Sequence, residues 1–283
     1  FIDPVGQVWT PFAFLRGDAI WQDPKNSAEE ASFINTDSDF LLRGMAGIGL
    51  EYRYPFAMVN SLGTHVLEPI GQILIRPNET RIGELYNEDS QSLFFDDTTL
   101  FSWDKFSGWD RVEGGSRANV GAQYTLNLNN GGFFNVMFGQ SLHLFGNNSY
   151  ATGDAANIGL DSGLESDQSD YVSRIYFQPM QNVSFSSRFR FDEKDFQPKM
   201  VELETRLQKG PVSAALMYGR YDAQPRIGFN DNREGVLANP RLKLSENFFV
   251  AGAARYDLDR GKFDASQVGV GYLDETFAVS ATF

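Results

Sequence analysis

Residues 183–191 read Val-Ser-Phe-Ser-Ser-Arg-Phe-Arg-Phe. Successive side chains of a strand point to opposite faces. Val183, Phe185, Phe189 and Phe191 therefore share one face, and Ser184, Ser186, Arg188 and Arg190 share the other. One strand of this kind would suit a half-buried soluble sheet as well, but the pattern returns along the chain. Tyr124, Leu126 and Leu128 oppose Gln123, Thr125 and Asn127; Val201, Leu203 and Leu207 oppose Glu202, Glu204 and Arg206; Phe277, Val279, Ala281 and Phe283 oppose Ala278, Ser280 and Thr282. Segments of ~10 alternating residues between polar stretches are the mark of a transmembrane β-barrel, in which alternate residues face lipid. The expected fold is all-β, an antiparallel transmembrane barrel.

Composition narrows the choice without making it. Aromatic residues are 14% of the 283, with 25 Phe, 11 Tyr and 27 Gly. Rings for interfacial girdles and Gly for tight turns suit a barrel, but also a soluble β-sandwich. Mean hydropathy is −0.33, and no stretch approaches the ~18 apolar residues of a membrane helix. The net charge of −13 leaves no basic patch to neutralise phosphates, so nucleic acid is not an expected partner. Much of the acid sits in polar stretches: Asp23, Glu29, Glu30, Asp37 and Asp39 in one, Glu84, Glu88, Asp89, Asp96 and Asp97 in another. The chain has no Cys, which excludes disulfides and thiolate metal sites within it. Phe1-Ile2-Asp3-Pro4 reads as an internal start, so the expectation is a piece of a longer protein.

Thirteen strands are expected: roughly 5–21, 41–58, 64–76, 110–128, 133–145, 170–179, 182–193, 196–208, 211–222, 235–245, 247–258, 262–273 and 275–283. The connections alternate in length for much of the chain. Long ones fall at 22–39, 77–107, 146–168 and 223–234; short ones at 60–63, 129–132, 180–181, 209–210 and 245–246. Asn129-Asn130-Gly131-Gly132 is a strong hairpin turn. Outer-membrane barrels have long extracellular loops and short periplasmic turns, and a sandwich has no reason to sort loop lengths to one end. A short helical turn is expected over 96–106, with Asp97 as its N-cap. Pro55, Pro69, Pro179, Pro198 and Pro240 belong at strand ends, edges or bulges.

Several phrases carry a family resemblance. Leu50-Glu51-Tyr52-Arg53-Tyr54-Pro55-Phe56 and Leu67-Glu68-Pro69 come first. Asn87-Glu88-Asp89-Ser90-Gln91 leads to Phe95-Asp96-Asp97-Thr98-Thr99-Leu100-Phe101. Phe106-Ser107-Gly108-Trp109-Asp110-Arg111 runs on to Gly115-Ser116-Arg117-Ala118-Asn119-Val120-Gly121, and Phe138-Gly139-Gln140-Ser141 follows. In content and order these resemble the barrel of the LPS-assembly protein family LptD, the organic solvent tolerance proteins, in the style of alphaproteobacterial members. The resemblance covers essentially the whole chain. It implies the C-terminal part of a barrel of ~26 strands, preceded by a periplasmic jellyroll and early strands outside residues 1–283. It implies a non-enzymatic role, passing lipopolysaccharide to the outer leaflet of the outer membrane. The implied partners are lipopolysaccharide, the plug lipoprotein LptE, outer-membrane lipid and, through the absent N-terminal domain, the periplasmic bridge component LptA. One departure is plain: where the family carries Cys before its penultimate strand, this chain reads Tyr272-Leu273-Asp274-Glu275-Thr276-Phe277, so disulfide-controlled assembly is not carried over.

No catalytic or cofactor constellation stands out. His65 and His143 lie in different strands without Cys or carboxylate at ligand spacing. Asp192-Glu193 and Asp195 resemble a carboxylate pair but read as solvated loop acid. The Asp-rich 161–170 stretch offers oxygen ligands for Ca²⁺ without EF-hand spacing. Gly114-Gly115 lacks the Lys-Ser/Thr and helix of a phosphate loop. The charged strand positions are more informative. Arg53, Arg174, Arg188, Arg190, Arg206 and Arg255 would each cost ~2–4 kcal/mol facing lipid near the midplane. They are expected to face the lumen, with Glu51, Glu202 and Glu204 as cross-strand partners. That wall either keeps the lumen wet or docks the plug. The alternative to the LptD reading is another outer-membrane channel, porin-like or lipid-transporting and complete in itself. An even strand number would suit that alternative, and the expected count is odd. A third reading, a soluble β-rich carbohydrate-binding or hydrolytic protein, would bury its aromatics and need no detergent.

Overall fold

The structure is a computed structural model describing residues 1–23, 38–90, 93–152 and 158–283. The polar stretch expected at 22–39 therefore lies, from 24 to 37, outside the described residues. Fourteen strands form one antiparallel sheet: β1 Val8–Trp21, β2 Phe40–Arg53, β3 Phe56–Val59, β4 Gly63–Ile75, β5 Ser116–Leu128, β6 Phe133–Phe145, β7 Tyr171–Met180, β8 Val183–Phe191, β9 Pro198–Lys209, β10 Val212–Tyr221, β11 Arg233–Lys243, β12 Phe248–Asp257, β13 Lys262–Leu273 and β14 Ala278–Thr282. Each neighbours the next in the sheet, with β3 paired to β4 beside β2, and β1 and β14 are the two edges. No described helix is long and apolar enough to cross a membrane.

The expected second strand, 41–58, is two strands because Tyr54-Pro55 interrupts it. Arg53 still faces Ile70 and Phe56 still faces Leu67, so the register with β4 continues across the break. The two prolines sit opposite this gap, Pro55 on one strand and Pro69 on the other, and neither has a backbone N–H to give the ladder. The Tyr54 N–H donates to the Pro69 carbonyl at 3.2 Å, the one link across it. The fourth expected strand begins at Ser116 rather than 110, because residues 110–115 belong to the preceding loop.

Register assigns every side chain to a face. On the outer face of β1 and β2, Leu15, Leu42, Ile48 and Leu50 are exposed. At one end of this hairpin Trp9 meets Tyr52 at 4.5 Å, and at the other Trp21 meets Phe40 at 4.8 Å. From Trp9 to Trp21 a strand rises ~40 Å. With the ~45° tilt of barrel strands that separation matches an apolar band ~25 Å tall. Neighbouring strands extend both rows. Tyr124, Phe134, Phe177 and Phe185 run across β5–β8 near the short turns, with centroids 6.1–6.3 Å apart. Phe138, Tyr171, Phe191 and Phe196 cluster towards the opposite end, at 4.5–6.3 Å.

An apolar outer face set between two aromatic rows predicts the effect of charge. Leu15→Arg should destabilise the folded protein by ~2–4 kcal/mol if Leu15 lies near the midplane, read as loss of the compact, heat-modifiable band after refolding into lipid. Leu15→Ala should leave that band in place. An arginine tolerated at Leu15 would mean this face meets water.

Candidate functional site

The inner face of the sheet carries a second layer made by two connections, 76–115 between β4 and β5 and 146–170 between β6 and β7. Phe95, Leu100 and Phe106 from the first and Tyr150, Ile158 and Leu164 from the second pack with Met137 of β6 and Val172 of β7 into one buried cluster. The sheet leaves room for it by lacking side chains. A Cβ on Gly139 would stand 2.5 Å from Leu100 Cδ2, and one on Gly121 3.3 Å from Phe101 Cζ.

Polar anchoring does the rest. Guanidinium groups on five strands, with Arg76 just past β4, converge on the 76–115 loop. Arg16 of β1 and Arg43 of β2 share Asp18, at 3.0 and 2.7 Å, and both donate to the Trp109 carbonyl. Arg76, just past β4, donates to the Gly115 carbonyl at 2.8 Å and to the Trp103 carbonyl. Arg76 also pairs with Glu113, which forms a second ion pair with Arg117 of β5, 2.8 Å from its Nε. Arg174 of β7 and Arg188 of β8 reach Asp97 at 3.1 and 3.4 Å. Within the loop, Arg111 grips Glu79 with two bonds of 2.8 and 2.9 Å and lies over Phe106. The second loop joins in: Arg117 donates to Asn148 Oδ1 at 2.6 Å, and Arg190 of β8 pairs with Asp170 at 3.1 Å.

Glu113 is the hub, wholly buried together with Arg117. Burial alone would push its carboxyl up, but the charges of Arg76, Lys105 and Arg117 outweigh it and hold the group at about 2. Burial pushes Asp104 up to about 6, with Glu113 adding to the effect, and pushes the Lys105 amine down to about 8 against the attraction of Glu113.

The charged strand positions singled out in the sequence occupy definite places. Arg53 pairs with Glu51 two residues back at 2.7 Å and with Glu68 across the strand at 3.1 Å. Glu202 accepts from the Tyr221 hydroxyl and lies 3.7 Å from Arg188. Arg206 binds Glu204 of its own strand at 2.7 Å rather than a cross-strand carboxylate, because residues two apart share a face. Arg255 pairs with Asp264 at 3.4 Å. Sequence reasoning passed over Arg16, Arg43, Arg76, Arg111 and Arg117. Arg43 at least carried a signal, since Leu41, Arg43 and Met45 share one buried face.

The expected helical turn over 96–106 is a looser turn capped by Asp96: its Oδ1 accepts the Thr98 and Thr99 N–H groups at 2.8 and 3.3 Å. Asp97 points to Arg174 instead. His65 meets the Tyr124 hydroxyl at 2.7 Å and His143 the Gly146 carbonyl at 2.9 Å. Asp170, Asp192 and Glu193 do gather, but Arg190, Lys199 and Lys194 pair with them at 3.1, 3.5 and 3.4 Å. That cluster is neutralised by the protein's own cations.

Residues 1–226 match the family LptD, LPS transport system D. The chain belongs to the LptD family. It is thus a β-barrel chain of lipopolysaccharide transport at the outer membrane. Among solved structures, Acinetobacter baumannii OccAB4 is similar, at 10% identity and a TM-score of 0.26 over 99% of this chain and 94% of that one; so low a score carries no argument. None of the curated proteins matches.

Two outcomes follow for the loop of this LptD chain. Glu113→Gln leaves buried guanidiniums without a counter-charge, a loss of ~3–5 kcal/mol. The loop should become protease-sensitive while the strands stay folded. The second outcome concerns pH. Asp104 moves from an ordinary 3.8 to about 6, so between those values only the folded loop holds the proton, and loop stability should fall as pH rises from about 4 to 6. Glu113 acts oppositely, losing its contribution as pH falls from 4.5 to about 2. Amide exchange of the loop, corrected for intrinsic rates, should therefore be slowest near pH 4. Asp104→Asn should abolish the fall on the neutral side.

Proposed function

We propose that this chain forms part of the wall through which lipopolysaccharide reaches the outer leaflet, its inner face lining a hydrated lumen and its outer face meeting lipid. The observation that carries this reading is the family match over residues 1–226. The geometry supports it. Glu51, Arg53, Arg174, Arg188, Arg190, Glu202, Glu204 and Arg206 share the loop-bearing face by register, so none is asked to sit in hydrocarbon. Arg255 lies on that same face, through Leu237 of β11 and Met217 of β10. A polar wall accepts sugars and phosphates, while acyl chains need the lipid side. No bond is made or broken, and the role is non-enzymatic.

The long connections lie at one end and the short turns at the other, which fits extracellular loops and periplasmic turns. The 76–115 and 146–170 loops then cap the lumen from outside. The edges β1 and β14 do not pair with each other. Backbone in a bilayer core needs a partner, and two open edges fit a set of strands within a larger barrel. A plug lipoprotein docked on the polar wall fits the same picture.

The test is to express the full-length protein with and without its lipoprotein, and to follow newly made lipopolysaccharide in cells depleted of the native copy. The expected result is a heat-modifiable band recovered with the lipoprotein, and lipopolysaccharide at the surface. A band that forms alone and conducts ions without restoring surface lipopolysaccharide would contradict the reading.

A further inference from the structure

Inner-face guanidiniums in this chain are mostly neutralised. Arg43, Arg53, Arg76, Arg117, Arg174, Arg188 and Arg190 each meet a carboxylate. At the turn end of β8–β12 one arginine departs from that rule and a second is paired through a single nitrogen. Arg241 of β11 has no carboxylate partner among the described residues. Its guanidinium carbon instead lies 3.7 Å over the centre of the Phe249 ring. Arg206 of β9 gives only its Nε to Glu204, and its side chain is 68% exposed. The two arginines stand on either side of β10, where Ser213 faces Arg241 and Ala215 faces both Arg206 and Asn239.

Because those β10 side chains are small, a cavity of about 480 Å³ opens between the arginines. Gln208 and Asn239 add amides, and no Asp or Glu lines it. In a chain of net charge −13, a pocket lined by no carboxylate, with Arg241 uncompensated and Arg206 bonded to Glu204 through Nε alone, is a site for an anion. The pairing of β11 with β12 also lapses at Asn239 and Pro240, between Ala238↔Ala254 and Arg241↔Ala251. Proline has no N–H to close the ladder there, so the wall behind the pocket is less tightly paired.

We infer that this pocket binds a phosphate on the head of the transported glycolipid, held between Arg206 and Arg241 where it enters from the turn end. The inference rests on the transport reading above. Planar guanidiniums bind phosphate oxygens in pairs, which an ammonium does not reproduce. The volume suits a small headgroup rather than a folded partner.

The test titrates lipopolysaccharide, either intact or with its phosphates hydrolysed, into the full-length protein in detergent, purified with whatever partners it retains. The double variant Arg206→Gln, Arg241→Gln should weaken binding of intact lipopolysaccharide about ten-fold and flatten its salt dependence. Phosphate-free lipopolysaccharide should bind variant and parent alike. Arg206→Lys, Arg241→Lys should restore the charge and part of the affinity, and a retained heat-modifiable band shows that each variant folds. Equal affinity of variant and parent for intact lipopolysaccharide would overturn the inference and leave the transport reading standing. Equal losses on both lipopolysaccharides would overturn the phosphate assignment. Unchanged lipopolysaccharide affinity with loss of a co-purifying lipoprotein would make the pocket a protein dock instead. No binding of lipopolysaccharide by the parent would overturn both.

Discussion

A backbone that crosses hydrocarbon has to satisfy its N–H and C=O groups, and between its two edges this chain does so with one antiparallel sheet. The ladder forces side chains to alternate, so each strand has one face for lipid and one that is not. Charge within the strands is thereby pushed largely to one side; Lys209, Arg220 and Glu234, which face the other way, sit near strand ends. Arg53, Arg174, Arg188, Arg190 and Arg206 share a face because the alternative would put a guanidinium in hydrocarbon.

Gathering charge on one face creates a second demand, since a guanidinium removed from water needs a counter-charge. The acidic loops supply it. Glu113 serves Arg76 and Arg117, Asp97 serves Arg174 and Arg188, and Asp170 serves Arg190. Part of the loop acid is thereby the counterpart of strand base. The apolar cluster of Phe95, Leu100, Phe106, Tyr150 and Leu164 then excludes water above those pairs, which is why the charges of Asp104, Lys105 and Glu113 interact so strongly.

What was legible in the sequence is what depends on near neighbours. The faces of Val183–Phe191 and Val201–Leu207 follow from alternation alone, and the sorting of long and short connections follows from turn chemistry. What was not legible depends on distant partners. Nothing local says that Asp97 meets Arg174, and its expected role as a cap passed to Asp96 because the arginines hold it. Arg43 was passed over because Gly44, Ala46 and Gly47 blur the alternation around it. The break at Tyr54-Pro55 was hidden because register continues through it. The loop fold itself rests on contacts such as Arg16 with Trp109 and Trp103 with Phe14, which join β1 to a segment far along the chain.

The most direct test of the two-faced sheet uses the chain's lack of cysteine, since single cysteines and spin labels can be placed at each position of 183–191 without background. In lipid, oxygen should reach labels at 183, 185, 187, 189 and 191 most readily, while a water-soluble relaxant should reach those at 184 and 186. Labels at 188 and 190, under the loops, should be shielded from both. Accessibility to the aqueous reagent on both faces, or no period of two, would contradict the account.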